Sequence, residues 1–365
     1  MKPTRALTLC ITGGHLSPAL AVAAECSASH PEITVVFIGR TFAFEKSGKS
    51  VEEEAMKPFC KRTYAIDAAR LTIGALPALL RAIVAARAIL TTERPDVVLS
   101  FGGYVAVPIV IAAWLLHIPV VTHEQTHVVG KANRLITRFA KKVAVSFPEM
   151  VKDIPGNKGI YTGFPLRSVI FSHPEMALFH LDPKYPCLFI TGGTTGAASV
   201  NELIFPVLQE LLNHFTVIHQ TGDPSYDAAA EAFTLLSKNV NSRYVFRPYF
   251  SGPDVAWILS HAKLVVGRAG ANTVWELAAK GVPSVLVPLP WSADAEQQKN
   301  AEWLATHGAA VVLDQTTLTS ESLKQAIFAA DHDYSSLSSR AKKFAGEVPK
   351  NGTQVLLSEV IATIS

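Results

Sequence analysis

Leu7-Thr8-Leu9-Cys10-Ile11-Thr12-Gly13-Gly14-His15 is an apolar run of strand length that stops at a glycine pair and is followed by a helical pattern from Pro18 to Ala28. A short apolar run that ends in glycines reads as a buried strand, and such a strand leading into a helix opens a βαβ unit. The pattern restarts later in the chain. Cys187–Thr191 is a second run, Gly192-Gly193 ends it, and a helix is predicted from Ala198. Ile11-Thr12-Gly13-Gly14 recurs as Ile190-Thr191-Gly192-Gly193, almost half the chain away. Two strand–glycine–helix openings predict an α/β protein with two Rossmann-like halves, each carrying an anion-binding turn.

Working outward, further strands are predicted at Ile33–Gly39, Asp96–Phe101 and Ile118–Thr122 in the first half. In the second they fall at Thr216–His219, Tyr244–Phe246, Lys263–Gly267 and Ser284–Pro288. Leu76–Leu90 is helical in pattern, and strands alternating with helices imply parallel sheets. Residues 151–186, rich in Pro, Gly and turn formers, are the expected boundary, and Asn351–Ile364 reads as a last helix after Pro349-Lys350.

The 365 residues suit two domains at roughly 150 residues each. A net charge of +3 argues against nucleic-acid binding driven by bulk charge, and 49% hydrophobic against 17% charged residues excludes disorder as the dominant state. Cys10, Cys26, Cys60 and Cys187 lack C-x-x-C spacing, so reduced thiols are expected rather than disulfides or zinc. The run after Lys2 and Arg5 is too short for a signal peptide. Val105–Leu116, broken by Pro108, is too short to span a bilayer, which needs about 20 residues.

Polar residues at predicted strand ends are the candidate site, because open α/β sheets bind ligands at the carboxyl ends of their strands. Thr12, Gly13, Gly14 and His15 end the first strand; the same residues also suit a plain tight turn. They fall short of G-x-G-x-x-G, so a dinucleotide site is poorly supported. Gly192-Gly193-Thr194-Thr195-Gly196 is the richer phosphate cradle. Arg268-Ala269-Gly270-Ala271-Asn272 leads into a helix start with unpaired N–H groups, and Glu276 follows about one and a half turns in. A carboxylate there can accept two ribose hydroxyls, or simply complement the helix dipole. Gln297 and Gln298 can read sugar hydroxyls or lie on a polar helix face. His123-Glu124-Gln125 ends another strand. No metal-ligand spacing links the remaining histidines.

Together these motifs resemble the MurG family, over nearly the whole chain. The resemblance is carried by the first glycine turn with Pro18–Ala23, Phe101-Gly102-Gly103-Tyr104-Val105, Ile118–Gln125, the Gly192-Gly193 turn, Arg268–Glu276 and Gln297–Ala301. It implies the GT-B fold, two Rossmann-like domains facing across a cleft, here 1–163 and 164–345 with 346–365 returning to the first. It implies an inverting transfer of GlcNAc from UDP-GlcNAc to the 4-hydroxyl of the MurNAc of undecaprenyl-linked lipid I, giving lipid II. By the resemblance, Arg167, Gly193, Thr194, Thr195, Arg268, Ala271 and Asn272 meet the diphosphate. Phe250 offers backbone groups to uracil, Glu276 holds the ribose, and Gln297 and Gln298 read GlcNAc. Thr12, Gly13, Gly14, His15, Tyr104, Gln125 and Thr126 take the acceptor. His15 is the first choice of general base and Glu124 the second.

The chain departs from the family pattern in three places. The glycine-rich opening is shortened, Thr126 replaces the usual Asn after His-Glu-Gln, and Thr194-Thr195 replace Ser-Gln. No cofactor is expected, since charge on UDP can be met by arginines and helix N-termini without a metal. Leu76, Leu79, Leu80 and Ile83 at helical spacing, with Arg81, Arg87, Arg138, Lys141 and Lys142, suit an anionic leaflet. A peripheral position on the cytoplasmic side of the membrane follows, with contact to a cell-wall synthesis complex. The alternatives are another GT-B lipid glycosyltransferase, such as a diacylglycerol glucosyltransferase, and a UDP-GlcNAc 2-epimerase.

Overall fold

A computed structural model of the chain describes residues 7–40, 51–68, 76–172, 179, 181–193 and 196–364. The chain divides into two units, residues 1–167 with 349–365, and residues 168–348. The first break falls inside the expected boundary segment.

The first unit is built on seven parallel strands: β1 (Leu7–Thr12), β2 (Ile33–Arg40), β3 (Arg62–Ile66), β4 (Val97–Ser100), β5 (Val120–Glu124), β6 (Lys142–Val145) and β7 (Gly159–Tyr161). Their order is β3-β2-β1-β4-β5-β6-β7. The second unit has six, β8 (Cys187–Thr191), β9 (Thr216–Gln220), β10 (Tyr244–Arg247), β11 (Ala262–Gly267), β12 (Ser284–Leu286) and β13 (Ala310–Val312), in the order β10-β9-β8-β11-β12-β13. Every residue of β4, β5, β8 and β9 is buried, as expected of parallel strands covered on both faces. The strands β3, β6, β7 and β13 were not legible in the sequence. Each has three to five residues, too few to show a period, and each is created by pairing with a neighbour.

Strand order reverses between β1 and β4 in one unit and between β8 and β11 in the other. In-register pairing sets Thr12 beside Ser100 and Thr191 beside Gly267 at the carboxyl ends. Those reversals are where a doubly wound sheet opens a crevice for ligands. All four loops leaving them belong to motifs singled out in the sequence.

The apolar run Val105–Leu116 folds as a helix, Ala106–Leu115, with Pro108 in its first turn, where a missing N–H costs no internal bond. Among the described residues no helix is long and apolar enough to cross a membrane. Four free thiols are present; burial pushes Cys26, Cys60 and Cys187 up to about 12 and Cys10 further, so none is a thiolate nucleophile at neutral pH.

The last helix, Gly352–Ile361, belongs to the first unit. Its Leu356, Leu357 and Val360 are buried with Leu9, Val35 and Leu99. A Cβ on Gly352 would lie 2.4 Å from Phe164 O, and Thr353 donates to Leu166 O at 2.7 Å. The chain leaves and re-enters this unit through two segments pressed backbone to backbone. Replacing Leu356 by Ala should cost about 2–5 kcal/mol of stability by leaving a cavity in the first unit, read as a lowered urea midpoint at unchanged slope.

Candidate active site

In the first unit the turn after β1 is locked to the turn after β4. Phe101 N–H donates to Thr12 O at 2.7 Å and Gly14 N–H to Gly102 O at 3.0 Å. A Cβ on Gly13 would lie 2.8 Å from Phe101 N, so only glycine lets the two backbones meet. His15 caps the Leu16–Ser29 helix and is exposed. Its Nδ1 lies 2.9 Å from Phe101 O. A carbonyl only accepts, so Nδ1 is the donor, which in the neutral ring leaves the lone pair on Nε2. Tyr104 follows Gly103, half-buried, just ahead of the Ala106–Leu115 helix.

His123, Glu124 and Gln125 end β5 and are buried. Burial lowers the His123 pKa to about 4, so the ring is neutral at physiological pH; its Nε2 lies 3.2 Å from Gly163 O. Glu124 is a fastener for its own loop. Oε2 accepts from Gly130 N and Asn133 Nδ2, both at 2.9 Å. Oε1 accepts from Thr126 N at 3.3 Å and lies 3.1 Å from Thr126 Oγ1. Both carboxylate oxygens are thus engaged by donors of the Glu124–Asn133 segment. Thr12 donates its hydroxyl to Ile38 O at 2.7 Å, and Gln125 reaches Phe101 O at 3.5 Å. Thr12, Gln125 and Thr126 each have hydrogen-bond partners within the first unit. Gly14 likewise commits its N–H within the turn.

In the second unit Gly193 has φ +75° and, among the described residues, nothing within 4 Å of where a Cβ would stand, and the space at Gly270 is equally open. Both glycines clear room at the carboxyl ends of β8 and β11. Thr194 and Thr195 lie outside the described residues. Gly193 N–H is donated to Thr191 Oγ1 at 3.0 Å. Gly270 caps the Ala271–Lys280 helix, whose first turn carries Ala271 and Asn272. Asn272 Nδ2 donates to Glu276 Oε1 at 2.9 Å, which fixes the buried carboxylate on the same helix face.

Arg268 is buried. Its Nη1 donates to Val287 O at 2.8 Å and its Nη2 to Ser199 Oγ at 2.7 Å, and burial lowers its pKa from the ordinary value. The guanidinium thus ties the end of β11 to its neighbours. The Phe250 N–H, assigned to uracil by the resemblance, is donated to Gln220 Oε1 at 3.1 Å. Gln297 accepts from Leu289 N at 3.1 Å, whereas Gln298 is exposed and bonds Glu302 at 2.8 Å. Ahead of them Asp294 and Ala295 take left-handed φ values of 51° and 56°. Strained non-glycine residues of this kind collect at ligand sites. Arg167 is the last residue of the first unit before the break.

Sequence reasoning missed Asn133, Ser199 and Gln220. Asn133 and Ser199 sit in ordinary polar helix starts and left no signal. Gln220 did leave one: it ends a buried strand as part of His219-Gln220-Thr221, the same feature that exposed His123-Glu124-Gln125.

Residues 6–145 match the glycosyltransferase family 28 N-terminal domain and residues 187–356 its C-terminal domain. Relatives from Listeria monocytogenes and Bacillus subtilis are each 32% identical, over 97% and 87% of this chain and the same shares of their own. Both are named UDP-N-acetylglucosamine--N-acetylmuramyl-(pentapeptide) pyrophosphoryl-undecaprenol N-acetylglucosamine transferase. The crystal structure of Acinetobacter baumannii MurG is 30% identical, covers 98% of this chain and 99% of its own, and superposes with a TM-score of 0.73. The chain belongs to the MurG family. Its fold is GT-B, with a seven-stranded and a six-stranded Rossmann-like domain. A UDP-GlcNAc 2-epimerase from Neisseria meningitidis, 11% identical at a TM-score of 0.65, shares that fold alone.

The buried histidines set an acid limit on stability. The folded-state pKa of His123 is about 4 and that of His219 about 3, both below the ordinary 6.5. The unfolded chain binds more protons between those values, so stability present above pH 6.5 is lost as pH falls toward 4. The loss is on the order of a few kcal/mol. Urea unfolding at pH 7 and pH 4.5 should show it, and His123→Gln should flatten the slope.

Proposed function

We propose that the protein transfers GlcNAc from UDP-GlcNAc to the MurNAc 4-hydroxyl of undecaprenyl-pyrophosphoryl-MurNAc-pentapeptide, making lipid II for peptidoglycan synthesis. The observation that carries this reading is that one enzyme name belongs to relatives matching 97% and 87% of this chain. The residues support the same chemistry. His15 has its proton on Nδ1, so its Nε2 lone pair takes the proton of the attacking hydroxyl. Attack from the face opposite UDP inverts C1. The departing diphosphate gains charge, which the amides at the start of the Ala271–Lys280 helix and the Arg268 guanidinium stabilise. Arg167 adds a second guanidinium in this reading. Glu276, held by Asn272, accepts the ribose hydroxyls, and Gln297 and Gln298 meet the sugar. No metal takes part.

The lipid acceptor calls for a membrane-facing surface on the first unit. Leu76, Leu80 and Val84, at i, i+4 and i+8, are 62%, 54% and 69% exposed on the Leu76–Glu93 helix, with Arg81 and Arg87 exposed on it. That helix packs on the Ala106–Leu115 helix, whose last turn exposes Trp114 and Leu115. Leu79 and Ile83 turn half inward, so the apolar stripe differs from the one expected by including Val84 in their place. Near Trp114 a cavity of about 710 Å³ is lined by Phe139, Arg138, Lys141 and Lys158. Lys141 donates to Thr363 O and Lys142 pairs with Glu359 at 2.6 Å, so they serve the last helix as well as any lipid surface. Binding is peripheral in this reading, on the face of the membrane where UDP-GlcNAc is present, beside the other enzymes of cell-wall synthesis.

Incubation with labelled UDP-GlcNAc and lipid I tests the reaction; absence of disaccharide lipid refutes it. His15→Ala should lower kcat by about 10²–10⁴-fold while UDP affinity is kept. In flotation with vesicles of anionic phospholipid, Leu80→Ser with Val84→Ser should shift the protein from the floated to the free fraction. Both sites are exposed, so its thermal midpoint should stay near that of the unchanged chain.

A further inference from the structure

At the end of β9, between the ends of β8 and β10, stands a side chain that the mechanism above does not use. Gln220 is 4% exposed and touches both neighbouring turns. Its Nε2 donates to Gly193 O at 2.7 Å and to Thr191 Oγ1 at 3.3 Å. Its Oε1 accepts the Phe250 N–H at 3.1 Å. One amide group therefore fastens the glycine turn after β8 and the turn after β10, with two donors and one acceptor all engaged. Thr191 Oγ1 completes the arrangement by accepting the Gly193 N–H at 3.0 Å.

We infer that Gln220 is a positioning residue that sets the diphosphate turn of the nucleotide site against its base-reading turn. The inference rests on the nucleotide reading given above. Gly193 has a φ of +75° and, among the described residues, no neighbour within 4 Å on the side where a Cβ would stand. Gly193 O also accepts the Gly196 N–H at 3.3 Å, and the 2.7 Å bond from Gln220 is the shorter hold on that carbonyl. Turned outward, that oxygen would present a partial negative charge to the diphosphate; held by Gln220, it faces the protein. The other end of the same amide keeps the Phe250 backbone in place, so Gln220 fixes the spacing between the turn that meets phosphate and the turn that meets uracil.

A carboxylate of the same length separates the two halves of this duty. In Gln220→Glu the oxygens can still accept from Phe250 N–H, but Gly193 O keeps only its longer bond from Gly196 N–H, at 3.3 Å, and a negative charge now lies against that carbonyl. Calorimetric titration of the intact chain with UDP and with uridine reads the two ends apart. UDP affinity should fall by at least about tenfold, whereas uridine affinity should stay within about twofold. The Michaelis constant for UDP-GlcNAc should rise by more than kcat falls. Thr191→Val removes the hydroxyl that receives both Gly193 N–H and Gln220 Nε2–H, and should show the same selective loss. It carries the test alone if Gln220→Glu does not fold. Equal loss of UDP and uridine affinity, or no loss in a variant with an unchanged thermal midpoint, overturns the inference. Failure of the unsubstituted protein to bind UDP would instead remove the nucleotide reading, and is seen before any substitution is made.

Discussion

The first unit depends on two turns whose backbones touch. Phe101 N–H on Thr12 O and Gly14 N–H on Gly102 O tie the ends of β1 and β4 together at the point where the sheet changes direction. No side chain fits between them: a Cβ on Gly13 would overlap Phe101, one on Gly102 would overlap Asn133, and one on Gly103 would press on Gly14. The contact places Phe101 O where it receives His15, and so decides which imidazole nitrogen carries the proton. A packing constraint thereby becomes a chemical one. Through Asn133 it extends to Glu124, because the side chain that bounds Gly102 also donates to Glu124 Oε2.

The second unit reaches a comparable result with side chains. Gln220, Thr191 and Arg268 bridge the strand ends, and Asn272 holds Glu276. Buried polar groups are costly unless satisfied, and these find partners in neighbouring backbone and side-chain groups. The consequence is a division of labour that residue type alone does not reveal. Arg268, Glu124 and Thr12 have the chemistry of ligand-binding groups, yet their polar atoms hold the protein together. The open space lies at Gly193, Gly270 and the exposed His15.

Much of the fold was legible because its main signals are local. Buried strands ending in glycine pairs identified β1, β4 and β8, and the repeated Ile-Thr-Gly-Gly gave the two-unit organisation. The strands β3, β6, β7 and β13 were not legible, since short strands draw their identity from the partner across the ladder. Within the site, His15, Gly193, Gly270 and Glu276 stood out as polar or glycine positions at strand ends. The distinction between Leu79, half-buried, and Leu80, exposed, was beyond a helical spacing rule, because adjacent positions on a helix differ by the angle at which it packs.

The amino-acid sequence by itself determined the α/β class, the duplicated Rossmann-like plan, the turns at which ligands meet the sheets and the family resemblance. Each of these follows from hydrophobic period, glycine placement and residue order along the chain. Tertiary structure alone decided which polar side chains are engaged within the protein: the Nδ1 donor of His15, the three N–H donors around Glu124, and the clamp made by Gln220. Those outcomes depend on hydrogen bonds between residues separated by up to 86 positions, as from His15 to Phe101. A donor acquires its acceptor only when the sheet has brought their strands side by side.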